Sequence, residues 1–163
     1  MPNSFKISRP AILAALSLLW AAPISPALAD AASDKAAVAA AAQGFFDALN
    51  SRDIKVMDAV WAHNPETDFV SPFSAAVTRG FAATHEELDH TLANFADFSV
   101  KIIDGPYVHV AGDMASALSM TVAVGKTKDG HDINFKAFSS EVFERRDGKW
   151  LIVSEHASML PKQ

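Results

Sequence analysis

The chain has 163 residues, no cysteine, and 14 Lys and Arg against 19 Asp and Glu, a formal charge of −5. Half of it is hydrophobic, enough for one packed core, while the acidic balance argues against nucleic acid or an anionic membrane as partner. Without a thiol, disulfides, thiolate metal sites and cysteine nucleophiles are excluded, so stability has to come from packing, alone or against a second copy.

Lys6 and Arg9 precede an apolar run from Ala11 to Ala22, and Ala27-Leu28-Ala29 then offers the small-x-small spacing of a signal peptidase site. The run falls short of the roughly 20 residues of a membrane span and is closed by Pro23 and Pro26. Residues 1–29 therefore read as a secretory signal cleaved after Ala29, with a membrane anchor as the alternative. Cleavage removes Lys6 and Arg9, taking the charge from −5 to −7, and leaves residues 30–163 as a single periplasmic or secreted domain with no membrane partner.

Ser33 is placed to cap a helix from about Asp34 to Leu49, in which Val38, Ala42, Phe45 and Leu49 form one stripe. Asp53 caps a shorter helix with Met57, Val60 and Trp61 on one face, stopped before Pro65. Thr67–Val70 is a short strand, and Ala75–Thr78 is its partner across an irregular loop. Thr84 and Glu87 form a capping box for a third helix, carrying Leu88, Leu92 and Phe95 and ending near Asp97.

From Phe98 the period changes to two. Phe98–Ile103 and Tyr107–Val110 read as one strand kinked at Gly105-Pro106, and Gly112-Asp113 turns the chain. In the following strand Met114, Leu118, Met120, Val122 and Val124 share one face, and Ala115, Ala117, Ser119, Thr121 and Ala123 the other; the large face is expected to be the packed one. His131–Arg145 leads into a final hairpin whose two-residue loop is Asp147-Gly148. With that loop, Arg145 faces Trp150, Phe143 faces Ile152, Glu141 faces Ser154 and Ser139 faces His156 on one side. Val142 with Val153, Phe138 with Ala157 and Ser140 with Glu155 fall on the other.

The run Arg145-Arg146-Asp147-Gly148-Lys149-Trp150, followed by Ile152-Val153, His156 and Ser158, resembles the last hairpin of the nuclear transport factor 2-like superfamily. It is most similar to the SnoaL-like members and to the association domain of calcium/calmodulin-dependent kinase II. The likeness extends to the Ala/Phe-rich first helix, the short helix ending at Trp61, and Asp68-Phe69-Val70-Ser71-Pro72 followed by Gly80. It implies an α+β cone in which three N-terminal helices pack on a strongly bent, mainly antiparallel sheet, and a homodimer formed through the outer sheet face. The element order alone also gives an α+β class. The kinase domain carries an arginine in its His-x-Ser segment where this chain has Ala157, so its basic pocket does not transfer.

His156, flanked by Ser154 and Ser158 with Ser139 opposite, is a candidate proton exchanger; a histidine bonded within the sheet or at a dimer interface is the plainer reading. Only one of Glu155 and His156 can face the cone, and sequence does not choose. Asp68, between Trp61 and Phe69, is a candidate general base, or else a solvated turn carboxylate. Tyr107 and His109 project together, into the cone as donors or onto the outer face. Trp61, Phe69, Phe73, Tyr107, His109, Ser139 and Glu155 are the expected ligand contacts. His85 and His90 stand five residues apart, roughly 140° around a helix, and cannot share a metal as a four-residue spacing allows. No phosphate loop, nucleophile elbow or metal cluster is present, and no cofactor is expected.

Two functions follow. The first is a cone holding a small, largely apolar molecule; the resemblance implies cofactor-free isomerase, cyclase or dehydratase chemistry. The second is a non-catalytic dimerisation or assembly module with a filled cone.

Overall fold

The computed structural model describes residues 26–161, with side chains from residue 30. The apolar run of the expected signal lies outside the described residues. Helix α1 spans Pro26–Ser51, beginning before the expected Ser33 cap. Its stripe faces the core as the spacing requires, with Val38 and Ala42 fully buried and Phe45 and Phe46 nearly so. At its end Asn50 trades two hydrogen bonds with the backbone of Val100, at 2.9 and 2.8 Å, tying helix to sheet.

The short helix α2, Ile54–Asp58, is capped by Asp53, whose carboxylate accepts the Lys55 N–H at 2.9 Å. Trp61, buried beyond it, sits in a bridge to Ile152. Strands β1 (Asp68–Val70) and β2 (Thr78–Arg79) follow, then helix α3 (Phe81–Asn94). The capping box does not form. Gly80, with φ of 84°, starts the helix a turn earlier and its carbonyl accepts the Thr84 N–H, leaving Thr84 buried inside the first turns. Glu87, released from that role, accepts the hydroxyls of Ser74, at 2.7 Å, and Thr78.

Four long strands complete the chain: β3 (Phe95–Ala111), β4 (Met114–Thr127), β5 (Asp132–Arg146) and β6 (Lys149–Met159). The open sheet runs β2-β1-β6-β5-β4-β3, antiparallel except where β1 lies parallel to β6. Strand β3 is irregular around Gly105-Pro106, where its register against β4 shifts twice, and such bulges bend and twist a sheet.

The faces of β4 are opposite to the expectation. Ala115, Ala117, Ser119, Thr121 and Ala123 are buried beneath the helices, while Met114, Leu118 and Val124 are exposed. Small side chains let the alanine-rich α1 lie close to the sheet, and the aromatic rings of α1 fill the space that larger strand residues would otherwise take.

The final hairpin turns where expected, with Asp147 at φ 49° and Gly148 at 76°, the positive pair of a type I′ turn. Arg145 pairs with Trp150 and Phe143 with Ile152, but the next pair is Val142 with Ser154. Val153 is an extra residue, a β-bulge that shifts the rest of β6 by one. In place of the expected partners, Glu141 faces Glu155, Ser139 faces Ala157, Ser140 faces His156 and Phe138 faces Ser158. Because side chains alternate, that single residue carries Glu155 to the inner face and His156 to the outer one.

Candidate functional site

Between α1, α3 and the concave face of the sheet lies a cavity of about 70 Å³. Its walls are mainly aromatic: Phe45 and Phe46 from α1, Phe69 from β1, Phe95 and Phe98 from β3, and Phe135 from β5. Phe95 and Phe98 are stacked with centroids 4.2 Å apart. Phe73, on the loop after β1, stands edge-on to Phe135 at 5.5 Å and is 55% exposed, so it lies at the solvent side of the cavity.

One wall is acidic. Glu155 lines the cavity at 2% exposure, and Glu141, fully buried, lies across the ladder from it. The Ser139 hydroxyl is within hydrogen-bond distance of both, 3.0 Å from Glu155 Oε1 and 2.7 Å from Glu141 Oε1. Oε2 of each carboxyl has no partner, and neither does the buried hydroxyl of Ser119. Burial raises Glu141 to about 7. Burial first, then the Glu141 charge, holds Glu155 well above the ordinary carboxylate range, and Glu87 adds to the effect. Two like charges this deeply buried disfavour simultaneous ionisation, so this pair holds protons at pH values where solvated glutamates have lost them. Through Glu155 the pair borders an aromatic chamber.

A profile for the SnoaL-like domain matches residues 38–162, most of the chain. The chain belongs to the SnoaL-like domain family. No curated protein matches it. Among solved structures, a nuclear transport factor 2-like superfamily protein from Salmonella enterica is 21% identical with a TM-score of 0.74, covering 81% of this chain and 94% of that one. A Xanthomonas campestris protein provisionally described as a calcium/calmodulin-dependent kinase II association domain is 23% identical with a TM-score of 0.66, covering 77% and 87%. A hexachlorocyclohexane dehydrochlorinase is 14% identical with a TM-score of 0.70, covering 82% and 89%. At these identities the likeness is one of fold, and it is the cone of the nuclear transport factor 2-like proteins.

In this SnoaL-like domain Phe69, Phe73, Ser139 and Glu155 line the cavity. Trp61 lies one layer deeper, edge-on to Phe69 at 5.7 Å and to Phe45 at 6.1 Å. The other expected residues are elsewhere. Asp68 alternates with Phe69 and so points out of the cone, 3.4 Å from Arg79 Nε. His156 and His109 are exposed, and Tyr107, 56% exposed, donates to Asp104 at 2.6 Å. His85 joins α3 to α2 through Asp58, 2.8 Å away, and that hydrogen bond raises its pKa. Glu141 and Glu87 stand beside Glu155 without lining the cavity themselves; the sequence marked Glu87 only for a capping box and did not mark Glu141. The usable signal for Glu141 was its place between Ser139 and Phe143 on one face of a strand, where a carboxylate has to be buried or the face wet. Among the described residues no group of three or more His, Asp and Glu is arranged to hold a metal, and no helix is long and apolar enough to cross a membrane.

Proposed function

We propose that this SnoaL-like domain binds a small, largely apolar molecule in its cone and that Glu155 exchanges a proton with it without a cofactor. The observation that carries this reading is Glu155 Oε2, buried and unpartnered on a residue that lines an aromatic pocket. A carboxyl kept neutral by burial is an acid at neutral pH, and after deprotonation it is a stronger base than a solvated glutamate. Ser139 lies within hydrogen-bond distance of the other oxygen, so Oε2 is the one left to meet a ligand. Isomerisation, cyclisation or elimination fits a single acid-base group in a dry chamber. The chamber is narrower than the roughly 300–1,000 Å³ of common ligand sites, so either the ligand is small or Phe73 swings outward to admit it. Export of residues 30–163 after cleavage at Ala29 belongs to the same proposal.

One observation favours a second reading, the non-catalytic homodimer with a filled cone. The outer sheet face exposes Tyr107, Leu118 and Phe138 at 56%, 47% and 44%. Mass spectrometry of small molecules retained by protein recovered from the periplasm separates the two. A retained molecule whose turnover falls on the order of 100-fold in Glu155→Gln supports the first. A ligand-free dimer whose dissociation follows Leu118→Glu supports the second, and unchanged turnover in Glu155→Gln removes the acid from the mechanism.

A further inference from the structure

We infer that the cone selects a small organic cation, an ammonium group on an apolar body, over neutral or anionic molecules of the same shape. This rests on the reading of the cone as a ligand pocket and names its ligand class.

Carboxyls from three elements cluster at one cavity-lining residue: Glu155 from β6 lines the cavity, and Glu141 from β5 and Glu87 from α3 stand close enough to act on its charge. None of the three takes part in an ion pair among the described residues, and no Lys or Arg lines the cavity. Glu87 is satisfied by the hydroxyls of Ser74 and Thr78. Glu141 and Glu155 share the one hydroxyl of Ser139, Glu141 is further held by its own backbone N–H, and Oε2 of each carboxyl has no partner. A cation supplies the positive charge that this cluster lacks, and its N–H groups donate to Glu155 once that carboxyl gives up its proton.

The rest of the chamber agrees with this charge pattern. The faces of aromatic rings attract cations through their quadrupoles, more strongly where water is absent, and six phenylalanines from α1, β1, β3 and β5 line the cavity. A hard metal ion asks instead for about six oxygen ligands in a shell, which a wall with one lining carboxylate does not offer. An anion meets no compensating charge here. The net negative charge of the chain favours the approach of cations over anions.

Cation binding ionises Glu155, so a proton leaves for solvent as the ligand enters. Glu87 and Glu141 oppose that ionisation in the empty cone, and the bound positive charge offsets them.

Isothermal titration calorimetry of the mature chain at pH 7 with benzylammonium, benzyl alcohol and benzoate, which share a ring and differ in charge, tests the inference. Benzylammonium is expected to bind roughly tenfold or more tighter than benzyl alcohol, with benzoate weakest, because charge-assisted hydrogen bonds gain most in a dry site. Heats measured in two buffers of different ionisation enthalpy should show release of a proton with benzylammonium alone. Glu155→Gln should lose the cation preference and the proton release, whereas Ser158→Ala, on the outer face, keeps both. Benzyl alcohol binding as tightly as benzylammonium overturns the cation inference and leaves the pocket standing. No binding by any of the three overturns the pocket reading itself. The proton release in the unaltered chain decides the matter even if Glu155→Gln fails to fold.

Discussion

Glu155 stands directly across the β5–β6 ladder from Glu141, and the hydroxyl of Ser139 reaches both carboxyls. This juxtaposition is made by one inserted residue, Val153. Without the bulge the partner of Glu141 is Ser154, Glu155 points to solvent, and the cone has a single buried acid. The candidate site is thus set by backbone register before any side-chain chemistry enters.

The pair makes stability fall as pH rises. Glu141 moves from an ordinary 4.5 to about 7 on folding, so the folded chain binds this proton more tightly than the unfolded one. The stabilisation it gives is complete below about 4.5 and is lost as pH climbs through about 7; the gap corresponds to roughly 3 kcal/mol. Glu155, displaced in the same direction, extends the loss to higher pH. Thermal melts of the unaltered chain and Glu141→Gln, compared from pH 4.5 to 8, should show the variant gaining on its parent as pH increases. A constant difference across that window rules out a titrating Glu141.

Ser139→Ala should cost about 1–3 kcal/mol, because it strips the shared partner from two buried carboxyls while removing only one oxygen. Chemical denaturation measures the loss. The loss should be smaller when Glu141 is already Gln, since one fewer carboxyl is then orphaned, and strict additivity of the two substitutions contradicts the shared bond.

Much of this arrangement was legible in the sequence, and the exceptions have physical causes. The stripe of α1, the Asp53 cap, the kinked β3 and the Asp147-Gly148 loop all depend on local spacing and turn chemistry, which a sequence displays directly. The inner face of β4 departs from the expectation because side-chain size does not reveal which face a helix will cover; α1 brings its own phenylalanines and needs small partners. Val153 carries no mark of a bulge, being an ordinary strand residue. Asp68 looked flanked by aromatics, but its neighbours in sequence point the other way in a strand.

Replacing either exposed candidate should therefore leave the cone intact. His156→Ala and Asp68→Asn are each expected to change stability by less than about 0.5–1 kcal/mol and to leave ligand affinity unaltered, since one side chain is solvated and the other joins only a surface ion pair. Calorimetry with benzylammonium reads the affinity. Loss of binding in His156→Ala places that ring at the cone after all and contradicts the bulged register.

Phe73→Ala should act on access more than on folding. The ring is 55% exposed and touches the wall edge-on at Phe135, so its removal costs little buried area. The mouth widens, and association with an apolar probe accelerates while the free energy of unfolding changes by about 1 kcal/mol or less. Stopped-flow fluorescence of the buried tryptophans follows the exchange; an unchanged rate places the entrance elsewhere.

Gly125 offers the sharpest test of how β3 and β4 close over the end of the cone. A Cβ built there meets the carbonyl oxygen of Asp97 at 2.2 Å and the Phe98 Cα at 2.8 Å, and both contacts are backbone, which cannot rotate away. The pairing beside it is already irregular, with a register shift between Phe95 and Asp97. Gly125→Ala has to push β3 outward, and that movement unstacks Phe95 from Phe98 in the cavity wall. Overpacking of this kind costs about 1–3 kcal/mol, so denaturation should register the loss while calorimetry shows weakened binding of any cone ligand. Gly112→Ala is the control, because its added methyl meets nothing within 4 Å and its cost is confined to the positive φ of 62°. Equal stability losses with equally weakened binding in the two variants contradict the close β3–β4 approach.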